Sequence, residues 1–128
     1  MSIQVSEIID SSAEHAWRIL IDTRCWPEWG PSVMAVDCAD RYIRKGSTGR
    51  VLTAIGFWAD FEITDFEEGS YWAWRVYGIA ATGHRVQPLG SHRCRVSFEV
   101  PLLAAPYALI CKLALRRIAK MVPQAAQE

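Results

Sequence analysis

The 128-residue chain has no excess of either charge, since fourteen Lys and Arg balance fourteen Asp and Glu. The net charge therefore supplies none of the electrostatic footprint that a nucleic-acid binder or a polybasic membrane protein needs. Long apolar runs are lacking too. The longest, around Leu102 to Leu115, is broken by Lys112 and followed by Arg116 and Arg117, so no transmembrane segment is expected. The N-terminal stretch MSIQVSEIID lacks a basic start followed by an apolar core, and a cytoplasmic location is the expectation.

Cysteine is present but unpatterned. Cys25, Cys38, Cys94 and Cys111 form no CxxC pair and are joined by no paired-histidine spacing, which speaks against a zinc site and against a disulfide framework. Free thiols and no metal are expected. Neither Rossmann nor P-loop glycine spacing occurs, so no nucleotide cofactor, and no cofactor of another kind, is expected. No repeat, low-complexity tract or linker divides the chain. Its length suits one domain over residues 1–128, and a homodimer is left open.

Aromatic residues are what the chain has in abundance: six Trp, four Tyr and four Phe. Rigid apolar rings suit an aromatic core and equally the wall of an apolar cavity.

Residues Ile3 to Ile9 are rich in β-branched side chains and read as a strand with Ile3, Val5, Glu7 and Ile9 on one face. A helix is expected from Ser12 to about Thr23, opened by a capping box in which the Ser11 hydroxyl and Glu14 serve the free N–H groups. The two prolines and Gly30 in Trp26-Pro27-Glu28-Trp29-Gly30-Pro31 allow a turn or one short helical turn. A β-meander follows: Val33 to Ala39, Gly49 to Phe57, Trp58 to Phe66, Tyr71 to Gly78, Thr82 to Gln87 and His92 to Val100. With the first strand this makes an antiparallel sheet of seven.

Setting Phe66 opposite Tyr71 pairs Thr64 with Ala73, Glu62 with Arg75, and Asp60 with Tyr77. Phe61, Ile63, Trp74 and Val76 then face the core. In the last hairpin, Gln87 opposite Arg93 pairs Val86 with Cys94, His84 with Val96, and Arg85 with Arg95, and puts His84, Val86, Cys94, Val96, Phe98 and Val100 inside. A long helix after Pro101 and Pro106 is expected to stop at about Val122, before Pro123. Its inner stripe is Leu103, Tyr107, Ile110, Cys111, Ala114, Ile118 and Met121, with Lys112, Arg116 and Lys120 opposite. Those cations and Arg117 are either a solvated face or a contact for anionic lipid or a carrier protein. The fold class is α+β.

His84 is the one histidine on the inner face, either as a satisfied structural group or as an acid or base. Glu7 has inward parity, and is an acid or ligand anchor unless it reaches the mouth and stays solvated. Tyr107 either hydrogen-bonds a ligand or packs with its hydroxyl at the rim. Cys111 reads as an inert small hydrophobe.

Three local features accompany this order of elements: Ala16-Trp17 late in the first helix, Asp22-Thr23-Arg24-Cys25-Trp26-Pro27-Glu28-Trp29, and Ser91-His92-Arg93-Cys94-Arg95-Val96-Ser97-Phe98. Together they resemble the polyketide cyclase/dehydrase and lipid-transport family of the START-like (SRPBCC, birch-pollen-allergen fold) superfamily, over nearly the whole chain. The resemblance implies a helix-grip fold in which the sheet wraps the C-terminal helix around a cavity for a lipid, polyketide, isoprenoid or similar ligand. Little chain separates Trp29 from Val33, where a second helix often sits, which makes the cavity smaller or more open at that end.

The expected lining is Trp26, Trp29, Phe61, Ile63, Trp74, Val76, His84, Phe98, Tyr107, Ile110, Cys111 and Ala114, with Trp26 and Trp29 as a gate or a plug. The function expected is carriage or sensing of a hydrophobic small molecule. The alternative is a cyclase or dehydratase in which Glu7 and His84 share one apolar pocket as acid and base.

Overall fold

The computed structural model describes residues 2–101 and 108–127, the side chains of 108–109 and 122–127 excepted. Strand β1 (Ser2–Ile9) leads into helix α1 (Ala13–Ile21) and the single-turn helix α2 (Trp26–Trp29). The meander follows as β2 (Val33–Cys38), β3 (Thr48–Thr53), β4 (Trp58–Glu67), β5 (Tyr71–Val76), β6 (Ile79–Pro88) and β7 (Cys94–Pro101), and the chain closes on α3 (Ala108–Gln127). All seven strands join one antiparallel sheet in the order β1-β7-β6-β5-β4-β3-β2. The first strand pairs with the last, which leaves β1 and β2 as the edges.

The start of α1 departs from the capping-box expectation. Ser12 is the N-cap, its hydroxyl accepting from the His15 N–H at 3.3 Å, while the Ser11 hydroxyl is buried with no hydrogen-bond partner among the described residues. The Ser11 N–H donates to the Ile9 carbonyl, a tight turn that tucks Ser11 inward and leaves Ser12 as the last extended residue. Asp22, Thr23 and the α2 indoles finish the other end of α1. A helix terminus leaves its last carbonyls without partners. Here Trp29 Nε1–H donates to Ile19 O (3.3 Å), Trp26 Nε1–H to Leu20 O (2.9 Å) and the Ile43 N–H to Ile21 O (3.0 Å). Buried Asp22 accepts from the Arg24 N–H and the Arg41 guanidinium, so the Asp-x-x-x-Trp-Pro-x-Trp segment ties α1, α2 and the loop after β2 together.

Two registers need correcting. In the β4–β5 hairpin Glu62 faces Arg75 as expected, but Glu67 rather than Phe66 faces Tyr71, and Asp65 rather than Thr64 faces Ala73. A bulge between Ile63 and Asp65 inserts the extra residue, and such an insertion bends the strand. In the last hairpin the pairing slides by two: Val86 faces Val96, His84 faces Phe98, and Arg85 faces Ser97. A slide of two preserves every facing and separates Arg85 from Arg95, removing the like-charge contact.

A further correction concerns α3, which passes Val122 and runs through Pro123 to Gln127. A proline removes one helical hydrogen bond, and the Gln and Ala residues after it are good helix formers. Cys111, Ala114, Leu115 and Ile118 of α3 are buried, and Ile110 and Met121 half-buried. Leu103 and Tyr107 of the expected stripe lie outside the described residues. Helix α3 packs on β1 and β7 and against α1 and α2. It therefore grips one half of the sheet, and the half made by β3, β4 and β5 meets α2 and a groove instead.

Candidate functional site

The groove opens at one end of the sheet. Its floor is Trp74 and Val76 of β5 with Ala80, Ala81 and Thr82 of β6, and its rim includes Ile55 of the β3–β4 turn and Ile79. Val33, Val51, Pro101 and Ile110 complete the walls, enclosing about 890 Å³. No charged side chain belongs to its described lining. That volume is ample for a small molecule of several rings or a short lipid chain.

The backbone explains why the groove lies here. Tyr77 and Gly78, at φ 57° and 76°, make a two-residue turn between Val76 and Ile79, the left-handed pair that matches strand twist. Next to it the β5–β6 ladder is irregular, Ala73 facing Gly83 but Arg75 facing Ala80. That bulge brings Trp74 of β5 beside Thr82 of β6, where the indole N–H donates to the Thr82 hydroxyl at 3.1 Å.

At the inner end of the groove is a cavity of about 30 Å³ that shares Ser32, Val33, Trp74, Thr82 and Ile110 with it. Its other walls include Trp26, Trp29, Trp72, His84, Phe98, Cys111 and Ala114. The rings form one assembly. Trp72 stacks on His84 with centroids 3.8 Å apart and on Trp26 at 5.4 Å, and Phe98 meets His84 edge-on at 4.8 Å.

His84 is held from both sides. Its Nδ1 lies 3.2 Å from the Trp72 carbonyl, an acceptor, so Nδ1 carries the proton; Nε2 then accepts from the Thr82 hydroxyl at 3.1 Å. A relay runs from Trp74 N–H through Thr82 and His84 to the backbone of Trp72. Burial pushes the His84 imidazole down to about 3, outweighing the opposing hydrogen bond to the Trp72 carbonyl, so the ring is neutral at physiological pH. Burial also pushes the Cys111 thiol up to about 11, so it is protonated at neutral pH and a poor nucleophile.

The residues expected from sequence separate into groups. Trp26, Trp29, Trp74, His84, Phe98, Ile110, Cys111 and Ala114 meet at the small cavity, and Trp74, Val76 and Ile110 at the groove. Phe61 and Ile63 are buried in the core and line neither. Trp26 and Trp29 are buried and hydrogen-bonded to α1, the arrangement of a plug. Glu7 faces inward but is half-buried and touches neither cavity. It pairs with Val96, which pairs with Val86, so its Cα is about 12 Å from that of His84 at ordinary strand spacings. Tyr107 lies outside the described residues.

Sequence reading missed Trp72 and Thr82, although Trp72 has the parity of Trp74 and Thr82 that of His84. It also missed Ile79, Ala80 and Ala81, which fall between the expected strands Tyr71 to Gly78 and Thr82 to Gln87 and read as loop. Among the described residues, no group of His, Cys, Asp and Glu is arranged to hold a metal, and no helix is long and apolar enough to cross a membrane.

Residues 1–122 match the model of the polyketide cyclase/dehydrase and lipid transport family. The chain belongs to this family. Solved structures similar to this family member include a START superfamily protein from Mycobacterium smegmatis, at 14% identity and a TM-score of 0.77, covering 97% of this chain and 98% of that one. The Zhui aromatase/cyclase from Streptomyces sp. R1128 is 11% identical with a TM-score of 0.74, covering 98% and 95%. The di-domain ARO/CYC protein BexL of the BE-7585A biosynthetic pathway is 10% identical with a TM-score of 0.76; all of this chain aligns, with 48% of that one. At these identities the likeness establishes the helix-grip, START-like fold alone. No curated protein matches the sequence.

Proposed function

We propose that this domain binds a neutral, largely apolar small molecule in the groove, as a carrier or sensor. The observation that carries this reading is a groove of about 890 Å³ with no charged residue in its described lining. Burying a charged ligand group there without a partner costs several kcal/mol, so the lining selects against ions. Apolar surface removed from water contributes roughly 25 cal/mol per Å². The family's lipid-transport and polyketide-cyclase members are consistent with ligands of this class.

Acid–base catalysis by His84 and Glu7 has less support. A general base must reach the proton it removes and titrate near the working pH. Both His84 nitrogens are engaged within the protein, its ring is held neutral far below physiological pH, and Glu7 belongs to neither cavity. The aromatase/cyclase likeness is a likeness of fold.

The groove is testable with Nile red, a neutral apolar dye whose emission shifts to the blue in apolar surroundings. Half-buried Ala81 lies on the groove floor. Ala81→Trp is expected to weaken Nile red binding at least tenfold without changing the far-ultraviolet circular dichroism. Equal binding by the two proteins would place the dye elsewhere and count against the reading.

A further inference from the structure

Four tryptophans line the small cavity at the inner end of the groove: Trp26, Trp29, Trp72 and Trp74. Three of their indole N–H groups are used within the protein, by Leu20 O, Ile19 O and the Thr82 hydroxyl. The fourth is not. Trp72 is fully buried, and its Nε1–H has no hydrogen-bond partner among the described residues. A buried donor without an acceptor is costly, because it has given up water and received nothing in exchange. The Trp72 ring cannot readily turn to find one, being sandwiched between His84 and Trp26.

Resting on the binding reading above, we infer that the small cavity is an oxygen subsite in which Trp72 Nε1–H donates to a carbonyl or ether oxygen of the ligand. About 30 Å³ holds a group of one oxygen or so, and the walls shared with the groove let the apolar remainder lie outward. The neighbouring relay does not compete for the role: Trp74 donates to Thr82, Thr82 to His84 and His84 to the Trp72 carbonyl, each polar group facing the next. The ligand class is therefore a neutral apolar molecule carrying a hydrogen-bond acceptor at one end, inserted acceptor first. A pure hydrocarbon of the same length fits the groove and leaves the Trp72 donor unanswered.

The test uses two probes of equal chain length, 2-octanone and n-octane, as competitors of Nile red on the full chain. Trp72→Phe keeps an aromatic ring and removes the donor. It is expected to weaken 2-octanone by roughly three- to tenfold, the range of one net hydrogen bond, and to change n-octane less than twofold. In wild-type protein labelled with ¹⁵N, the Trp72 indole N–H resonance is expected to move on adding 2-octanone and to stay still with n-octane. That spectrum decides the matter even if Trp72→Phe does not fold. Equal weakening of both probes by Trp72→Phe, or a Trp72 indole unmoved by bound 2-octanone, overturns the oxygen subsite and leaves the apolar groove standing. If neither probe displaces Nile red, the groove reading falls and the subsite with it.

Discussion

Trp26→Ala is expected to destabilise the domain by about 3–5 kcal/mol, the usual cost of truncating a large buried aromatic residue, and to lower the melting temperature by roughly 10–20 °C. Trp26 is 2% exposed, stacks on Trp72, and meets Phe61 and Trp74 at centroid distances of 5.4 and 5.2 Å. The same side chain caps α1 through Leu20 O, so truncation opens a cavity and strands a buried carbonyl together. Trp26→Phe separates the two effects. It retains most of the packing and loses only the cap, and its expected cost is about 1–2 kcal/mol. Urea titrations of the three proteins check both values. A Trp26→Ala cost below that of Trp26→Phe would mean that Trp26 is a mobile gate and not a plug.

The second expected result concerns acid. His84 titrates near 6.5 in the unfolded chain and is pushed down to about 3 by burial in the fold. Between those values the unfolded state binds a proton that the folded state refuses, so stability rises with pH across the window. The contribution is fully present above pH 6.5 and is lost progressively as the pH falls towards 3, at about 1.4 kcal/mol per pH unit. His84→Gln removes the titrating group and is expected to flatten the dependence between pH 6.5 and 5. The variant's absolute stability is a separate matter, since Thr82 and the Trp72 carbonyl lose their partner. Unfolding free energies of wild type and variant at three pH values in this range check the slope. Parallel lines would show that His84 is not kept neutral by the fold.

Much of the architecture was readable because its causes are local. Glycines at Gly56, Gly69, Gly78 and Gly90 adopt positive φ and punctuate the meander where turn chemistry requires it. Alternation placed His84 and Phe98 inside even though the register was displaced by two, because a slide of two leaves the facing unchanged. What sequence did not reveal depends on partners far away in the chain. The bulge at Thr64 cannot be seen in Ile63-Thr64-Asp65, and it moves Phe66 to face Trp72.

The same holds for the site. Trp26 and Trp29 look like free aromatics until α1 is seen to end beneath them. The cavity was expected between sheet and helix; there the space among Trp72, His84, Phe98, Cys111 and Ala114 is only about 30 Å³, and α3 grips the β1–β7 half. The larger groove therefore opens beside it, on residues such as Ile79 and Ala81 that carry no chemical signature. Glu7 and His84 share inward parity, yet parity says nothing about the two strand spacings between them.

The most direct test of the apolar groove is a titration of protein labelled at the Ile and Val methyl groups with Nile red, followed by methyl ¹H–¹³C spectra. The account predicts shifts concentrated at Val33, Val51, Ile55, Val76, Ile79 and Ile110, with the β1 methyls of Ile3 and Ile8 unmoved. Shifts at β1, or none at the groove while the dye is bound, would contradict it.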